Sequence, residues 1–336
     1  MLTERRSSLL NLIVDEYVDT AMPVGSKYIV GKHGMSVSPA TVRLEMARLE
    51  EEGYINQPHT SAGRVPSDKG YRYYVEALMK DEAIGWDERQ TILHQFHQAE
   101  RAMEQWFQLA AAVLAHSVSN FAVVTSPTSR ETRLKHVQIV PLQELSVLVV
   151  VVLNEARVRQ QVVTFRDPVD SQALVRAAGL VNERYSGQTL TDVRQGSALA
   201  LTDLESVVTK VVVELMDQEE VALGEVFRDG VREVLSQPEF ARSERILDLV
   251  DVLEQRTLST AIPIRQLGDD GISVVIGSEN RNEAMRECSI VLARYGTEGG
   301  PTGVVAVLGP TRMRYGRTIS TVRYLASVLG DLIAQI

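Results

Sequence analysis

The sequence predicts a multidomain α+β protein, and three observations carry that prediction. Residues 1–80 read as four helical segments with a short extended pair before the last. Four strand candidates (120–125, 135–142, 145–153, 158–165) and three more (272–277, 288–294, 303–308) flank a stretch at 200–258 whose spacing is helical throughout. The chain is 336 residues long, enough for two or three domains at roughly 100–200 residues each. Its composition, 44% hydrophobic and 24% charged, is that of a globular chain. No apolar run reaches the roughly 18–20 residues of a membrane span; LSVLVVVVL at 145–153 is strand length.

The first helix spans about 3–20, with Thr3 as a cap and Leu9, Leu10, Ile13, Val14 and Tyr17 at helical spacing. Met22-Pro23-Val24-Gly25 breaks it. Ser26 caps a short second helix that ends at HGM, 33–35. Ser38-Pro39 opens a third, because Ser is a preferred N-cap and Pro suits the first helical position. That helix stops at Gly53. A hairpin follows (YINQP, the turn HTSAGR, then VP), and a fourth helix runs over 68–79. After a linker at 81–86, a single long helix is expected over 87–118, its apolar positions stepping by fours and threes. A final helix covers 315–336.

The net charge of −9 argues against a nucleic-acid partner only superficially. Residues 1–80 hold ten basic and ten acidic side chains, so the acidity belongs to 81–336. A neutral module can still focus positive charge on one face. In 38–55, Val42, Met46 and Leu49 form one inward stripe, and Thr41, Arg43, Leu44, Ala47 and Arg48 cover the rest. A helix with a small-residue entry and basic side chains near its start fits a recognition helix in the major groove. The acidic run Glu50-Glu51-Glu52 marks the end that faces away. The hairpin after it resembles the wing of a winged helix-turn-helix. The candidate DNA contacts are Ser38, Thr41, Arg43, Leu44 and Arg48 on the helix, His59 and Arg64 on the hairpin, and Lys69 and Arg72 beyond it.

These segments resemble the HrcA family, bacterial repressors of heat-shock chaperone operons. The likeness rests on LTERR at 2–6, PVGS at 23–26, SPATVR with EMARLEEEGYI, and above all QPHTSAGRVPSDKGYRYYVEAL at 57–78. It continues through LKHVQIVPL and GPTGVVAVLGPTRMRYGRTISTVRYLA at 300–326, and is weaker in 190–265. It implies a winged-helix domain over 1–80, a discontinuous GAF-like α/β domain over 86–199 and 260–336, and an inserted, mainly helical dimerisation domain over 200–259. It also implies a homodimer on double-stranded operator DNA, a CIRCE-type inverted repeat, with the GroEL chaperonin as modulator and heat relieving repression. The family usually carries Asn where this chain has Leu44 and an acidic residue where it has Arg48. Leu44 cannot make the bidentate adenine contact of Asn, though it can touch a thymine methyl. A GAF-like domain also leaves the alternative of a metabolite-responsive regulator.

The dimer surface is expected on the insertion, where Leu204, Val207, Val208, Val211, Val212 and Leu215 form an apolar side. The strand at 145–153 has an aggregation-prone composition. Paired with 272–277 it would fold slowly, which offers a chaperonin a substrate.

No grouping suggests an enzyme or a cofactor. His94 and His97 have no third ligand nearby and read as a solvated helix face. GTEGGPTG at 296–303 lacks the Lys-Ser/Thr of a phosphate loop, Asp269-Asp270-Gly271 is turn chemistry, and Cys288 reads as core. Arg312, Arg314 and Arg317 precede the last helix, where an anion could sit. A lone cysteine and an N-terminus without a cleavage signal lead to the expectation of a cytoplasmic protein.

Overall fold

A computed structural model describes residues 2–59, 62–80, 82–99, 102–128, 132–154, 157–197, 202–221, 224–240, 250–251, 253, 262, 271–297 and 300–335. They fall into two compact units. The first comprises Met1–Pro127, Leu223–Glu298 and Thr302–Ile336; the second comprises Thr128–Ala222 with Gly299–Pro301.

The first unit begins with α1 (Glu4–Thr20), α2 (Ser26–His33), α3 (Pro39–Glu51), a two-stranded hairpin of β1 (Ile55–Asn56) and β2 (Val65–Pro66), and α4 (Asp68–Tyr73). A π-helical turn at Tyr74–Leu78 ends α4. Thr3 sits at the start of α1 but makes no side-chain cap. Ser26 is the first residue of α2 rather than its cap. Ser38 does cap α3. Leu9, Leu10, Ile13, Ile29, Leu49 and Ile55 are fully buried, so the apolar stripes of these short helices meet in one core.

The single long helix expected over 87–118 is two helices, α5 (Trp86–Gln98) and α6 (Met103–Val118). Ala99 is extended at the break. A continuous apolar period does not reveal such a break, because both helices keep the same face inward. The remainder of the unit is a five-stranded antiparallel sheet. Its strands are β3 (Phe121–Thr125), β7 (Val226–Asp229), β8 (Ile272–Ile276), β9 (Cys288–Gly296) and β10 (Thr302–Pro310), in the order β7-β3-β10-β9-β8. α6 and the last helix, α11 (Tyr315–Ile333), cover the face that carries Ala122, Val124, Val291, Ala293, Val305 and Val307. Phe121, Val123, Ile290, Leu292, Ala306 and Leu308 face the opposite core. Burial on both faces explains why these strands read as unbroken apolar runs.

Residues 226–229, expected to be helical, form the edge strand β7, and α10 (Val231–Leu235) follows. Gly230, at φ 88°, turns the chain between them, and a Cβ there would lie 2.2 Å from the Asn120 carbonyl oxygen. Most of the helix expected over 243–259, and Asp269-Asp270, lie outside the described residues.

The second unit interrupts the chain between the paired strands β3 and β7. It contains β4 (Leu134–Gln143), β5 (Ser146–Leu153) and β6 (Val158–Thr164), then α7 (Ser171–Tyr185), α8 (Leu190–Gly196) and α9 (Asp203–Val221). The inserted part is therefore a sheet with helices, where the sequence led to a helical segment at 200–259. β5 pairs with its sequence neighbours β4 and β6, not with 272–276. Two short hairpin closures cost far less entropy than one closure across more than a hundred residues. β5 buries alternate residues, and Val147, Val149, Val151 and Leu153 pack beneath α7 and α9. Val208, Val211, Val212 and Leu215 of α9 belong to this same core, which takes them out of any surface expected for dimerisation.

Candidate nucleic-acid interface

α3 carries the candidates Thr41, Arg43, Leu44 and Arg48, and its start is set by two hydrogen bonds. Ser38 Oγ accepts from the Thr41 backbone N–H at 3.1 Å and lies 3.0 Å from Thr41 Oγ1. Val42, Met46 and Leu49 are buried on one side. Opposite them stand Arg43 and Leu44, the latter 55% exposed. Arg43 has no ion-pair partner among the described residues. Arg48 turns back toward Glu45 at 3.6 Å, and Arg6 also reaches Glu45 and Glu52.

The hairpin is held from three directions. Ile55 faces Pro66 and Asn56 faces Val65. Val24 and Arg64 exchange backbone hydrogen bonds at 2.8 and 2.9 Å. A Cβ at Gly63 would lie 2.5 Å from the Val24 carbonyl carbon, so only glycine fits there. His59 is exposed, and its carbonyl accepts from Ala62 N–H at 2.8 Å. Thr60 and Ser61 lie outside the described residues.

Besides Arg48, three more of the basic candidates have intramolecular partners. Arg64 packs against α3 with its guanidinium 2.8 Å from Glu50, and its side chain is only 16% exposed. Lys69 donates to the Glu52 carbonyl at 2.7 Å and lies over the Tyr54 ring at 4.5 Å. It thereby satisfies an open carbonyl at the end of α3. Arg72 turns away from the hairpin and donates to Glu279 and to the Val274 carbonyl. The sequence shows these residues as basic; it does not show the acceptors that claim them.

A residue outside the expected set organises α2. The Glu16 carboxylate, on α1, is 5% exposed. It takes the Lys32 ammonium at 2.6 and 2.8 Å, the Tyr28 hydroxyl at 3.0 Å and His33 Nε2 at 2.9 Å. The Lys32 hydrogen bond holds the Glu16 carboxyl below its ordinary range, with Tyr28 and His33 adding to it against the cost of burial. The acidic residue is visible in the sequence as Asp15-Glu16, but the apolar period of α1 leaves it looking like part of a wet face.

Arg312, Arg314 and Arg317 are all engaged. Arg312 pairs with Glu239 and donates to Gln237 at 2.9 Å and to the Val18 carbonyl at 3.1 Å. Arg314 meets Asp19 at 2.9 Å, and Arg317 takes both oxygens of Glu88 at 2.5 and 2.6 Å. These groups tie the start of α11 to α1 and α5. On α5, His97 contacts the Leu93 carbonyl and His94 contacts Gln98, each within its own helix. Burial pushes the Cys288 thiol up to about 12.

The family model described as HrcA protein C terminal domain matches residues 104–319. Over the whole chain, the sequence is 42% identical to the heat-inducible transcription repressor HrcA of Roseiflexus sp. (strain RS-1), covering 95% of that protein. The chain belongs to the HrcA family. HrcA repressors of Chloroflexus aggregans and Dehalococcoides mccartyi (strain ATCC BAA-2266 / KCTC 15142 / 195) are 42% and 38% identical, with 94% and 97% of their lengths covered. HrcA is a family of heat-inducible transcription repressors by the name these relatives carry. A crystal structure titled as a hypothetical protein at 2.2 Å resolution matches the chain end to end, with a TM-score of 0.57 and 22% identity, a likeness of fold. No helix among the described residues is long and apolar enough to cross a membrane.

Proposed function

We propose that this HrcA family member represses transcription by reading an inverted-repeat operator of the CIRCE type as a homodimer. Residues 1–80 would serve as a winged helix-turn-helix and the five-stranded unit as a GAF-like scaffold. One observation carries the reading: α3 buries Val42, Met46 and Leu49 while Arg43 and Leu44 stand exposed one turn from a capped N-terminus. That is the orientation needed to place N-terminal side chains against base edges. The names of the relatives speak for a repressor, and none names a sensed metabolite.

A two-fold operator calls for a two-fold protein. With the inner side of α9 buried, the surface we favour for self-association is the outer side of the β4-β5-β6 sheet. Leu148 pairs with Val162 and Val152 with Val158 there, and Val158 and Val162 are 54% and 56% exposed. Modulation by the GroEL chaperonin remains part of the proposal on resemblance alone, since the local pairing of β5 removes the slow-folding argument. Refolding with and without chaperonin and ATP, followed by operator titration, tests that part. An equal DNA-competent fraction in both would end it.

The experiment for the main reading is a titration of the full chain on an inverted-repeat duplex and on a random duplex across salt concentrations. Specific binding should exceed random binding by at least about a thousand-fold, with both weakening as salt rises. Equal affinity for the two duplexes would overturn the operator reading.

A further inference from the structure

We infer that Glu16 is a specificity-determining residue of the DNA-binding face, acting by neutralising the cationic side of α2. The inference rests on the operator reading above. In helix-turn-helix docking, the first helix of the pair crosses the phosphate backbone while the second enters the groove. Here the first helix is α2, and its cations are Lys27, Lys32 and, when protonated, His33. Lys27 is exposed with no ion-pair partner among the described residues. Lys32 and His33 both close on one buried carboxylate, so the charge they would offer a phosphate is met inside the protein. Lys32 is still 49% exposed, within reach of solvent and of a polyanion if released.

The surrounding charges follow the same pattern. Arg6 and Arg48 meet Glu45, Arg64 meets Glu50, and Arg72 meets Glu279. Sequence-independent affinity comes from cations on phosphates, and specificity is the ratio of specific to non-specific binding. A face whose cations are mostly paired internally, with Lys27 on α2 and Arg43 on the reading helix left open, holds non-specific attraction down. On α2 this neutralisation falls to Glu16, which engages both Lys32 and His33.

The test uses the full chain, an inverted-repeat operator and a random duplex of equal length, titrated from about 50 to 200 mM salt. Glu16→Gln keeps the shape and removes the charge. Its random-duplex affinity should rise about three- to ten-fold and its salt slope steepen by about 0.9, with a smaller gain on operator. Adding Lys32→Ala to that variant should cancel the gain. Lys32→Ala alone should leave the random-duplex slope nearly unchanged, and this holds the inference to account even if Glu16→Gln folds poorly. A slope lowered by about 0.9 in Lys32→Ala alone would show Lys32 already on phosphate and overturn the inference. So would a folded Glu16→Gln with wild-type random-duplex binding. If the wild type itself fails to prefer operator over random duplex, the operator reading falls, and this inference with it; the Lys32 result separates the two failures.

Discussion

Arg72 closes on Glu279 across 207 positions of sequence, its Nε donating to Glu279 Oε1 at 2.9 Å. A terminal nitrogen of the same guanidinium reaches the Val274 carbonyl at 2.7 Å. Beside it, Asp68 accepts from the Ser278 backbone N–H at 2.8 Å. The helix that follows the hairpin is thus fastened to the turn after β8. Arg72→Ala should lower stability by about 1–2 kcal/mol in urea unfolding, from the part-buried hydrogen bond to the Val274 carbonyl and a solvent-screened ion pair with Glu279. It should leave the salt slope of DNA binding where it was. A drop in that slope without loss of stability would restore the phosphate role expected from the sequence.

Arg43→Ala should cost about 1–3 kcal/mol on the operator and relax the preference at one base position. Lys69→Ala should weaken operator and random duplex alike, because Lys69 supports the end of α3 through Glu52 and Tyr54. Titration of both variants on both duplexes separates the roles. Identical profiles for the two would refute the assignment.

If the proposed dimer forms through this sheet, replacing Val158 and Val162 by Lys should yield a monomer in sedimentation at low micromolar protein and weaken operator binding. Removing 200–259, the insertion expected from the sequence, would delete β7 from the five-stranded sheet. The informative deletion is 128–222. Dimer retained in both the lysine variant and this deletion would place self-association in the first unit.

Glu16 carries a pH signature of definite sign. Its folded carboxyl is depressed, so the unfolded chain binds the proton first and stability drains away as pH falls from about 4.5. The wild type should therefore lose melting temperature faster than Glu16→Gln on the acid side of that value. Burial raises Asp15 in the opposite sense, and because the Glu16 charge is only the last and smallest contributor to that rise, most of the Asp15 effect is common to both proteins. Parallel acid limbs would mean that Lys32 and Tyr28 do not hold the carboxylate in solution.

Much local order was legible in the sequence, though the break between α5 and α6 and the missing Thr3 cap were not. Ser38-Pro39 marks the start of α3 because cap and first-turn chemistry act within three residues. Val42, Met46 and Leu49 identify the buried side because helical period alone decides which residues share a face. The hairpin is likewise written locally, and whole-length likeness carries the family.

Only the tertiary structure decided which charges meet and which strands pair. A hydrogen bond forms within about 3 Å, and no period in the sequence encodes that Arg72 comes that close to Glu279 or Arg317 to Glu88. The basic residues that composition offers to DNA are for that reason mostly held within the protein, while Arg43 is left outward. The same limit applies to the strands. The apolar run of β5 is compatible with a strand buried on both faces or on one. Loop-closure entropy and packing beneath α7 and α9 chose its neighbours β4 and β6. Residues 226–229 became a strand because the edge of β3 was open to pair with them, a fact carried by the assembled sheet and by no property of the four residues themselves.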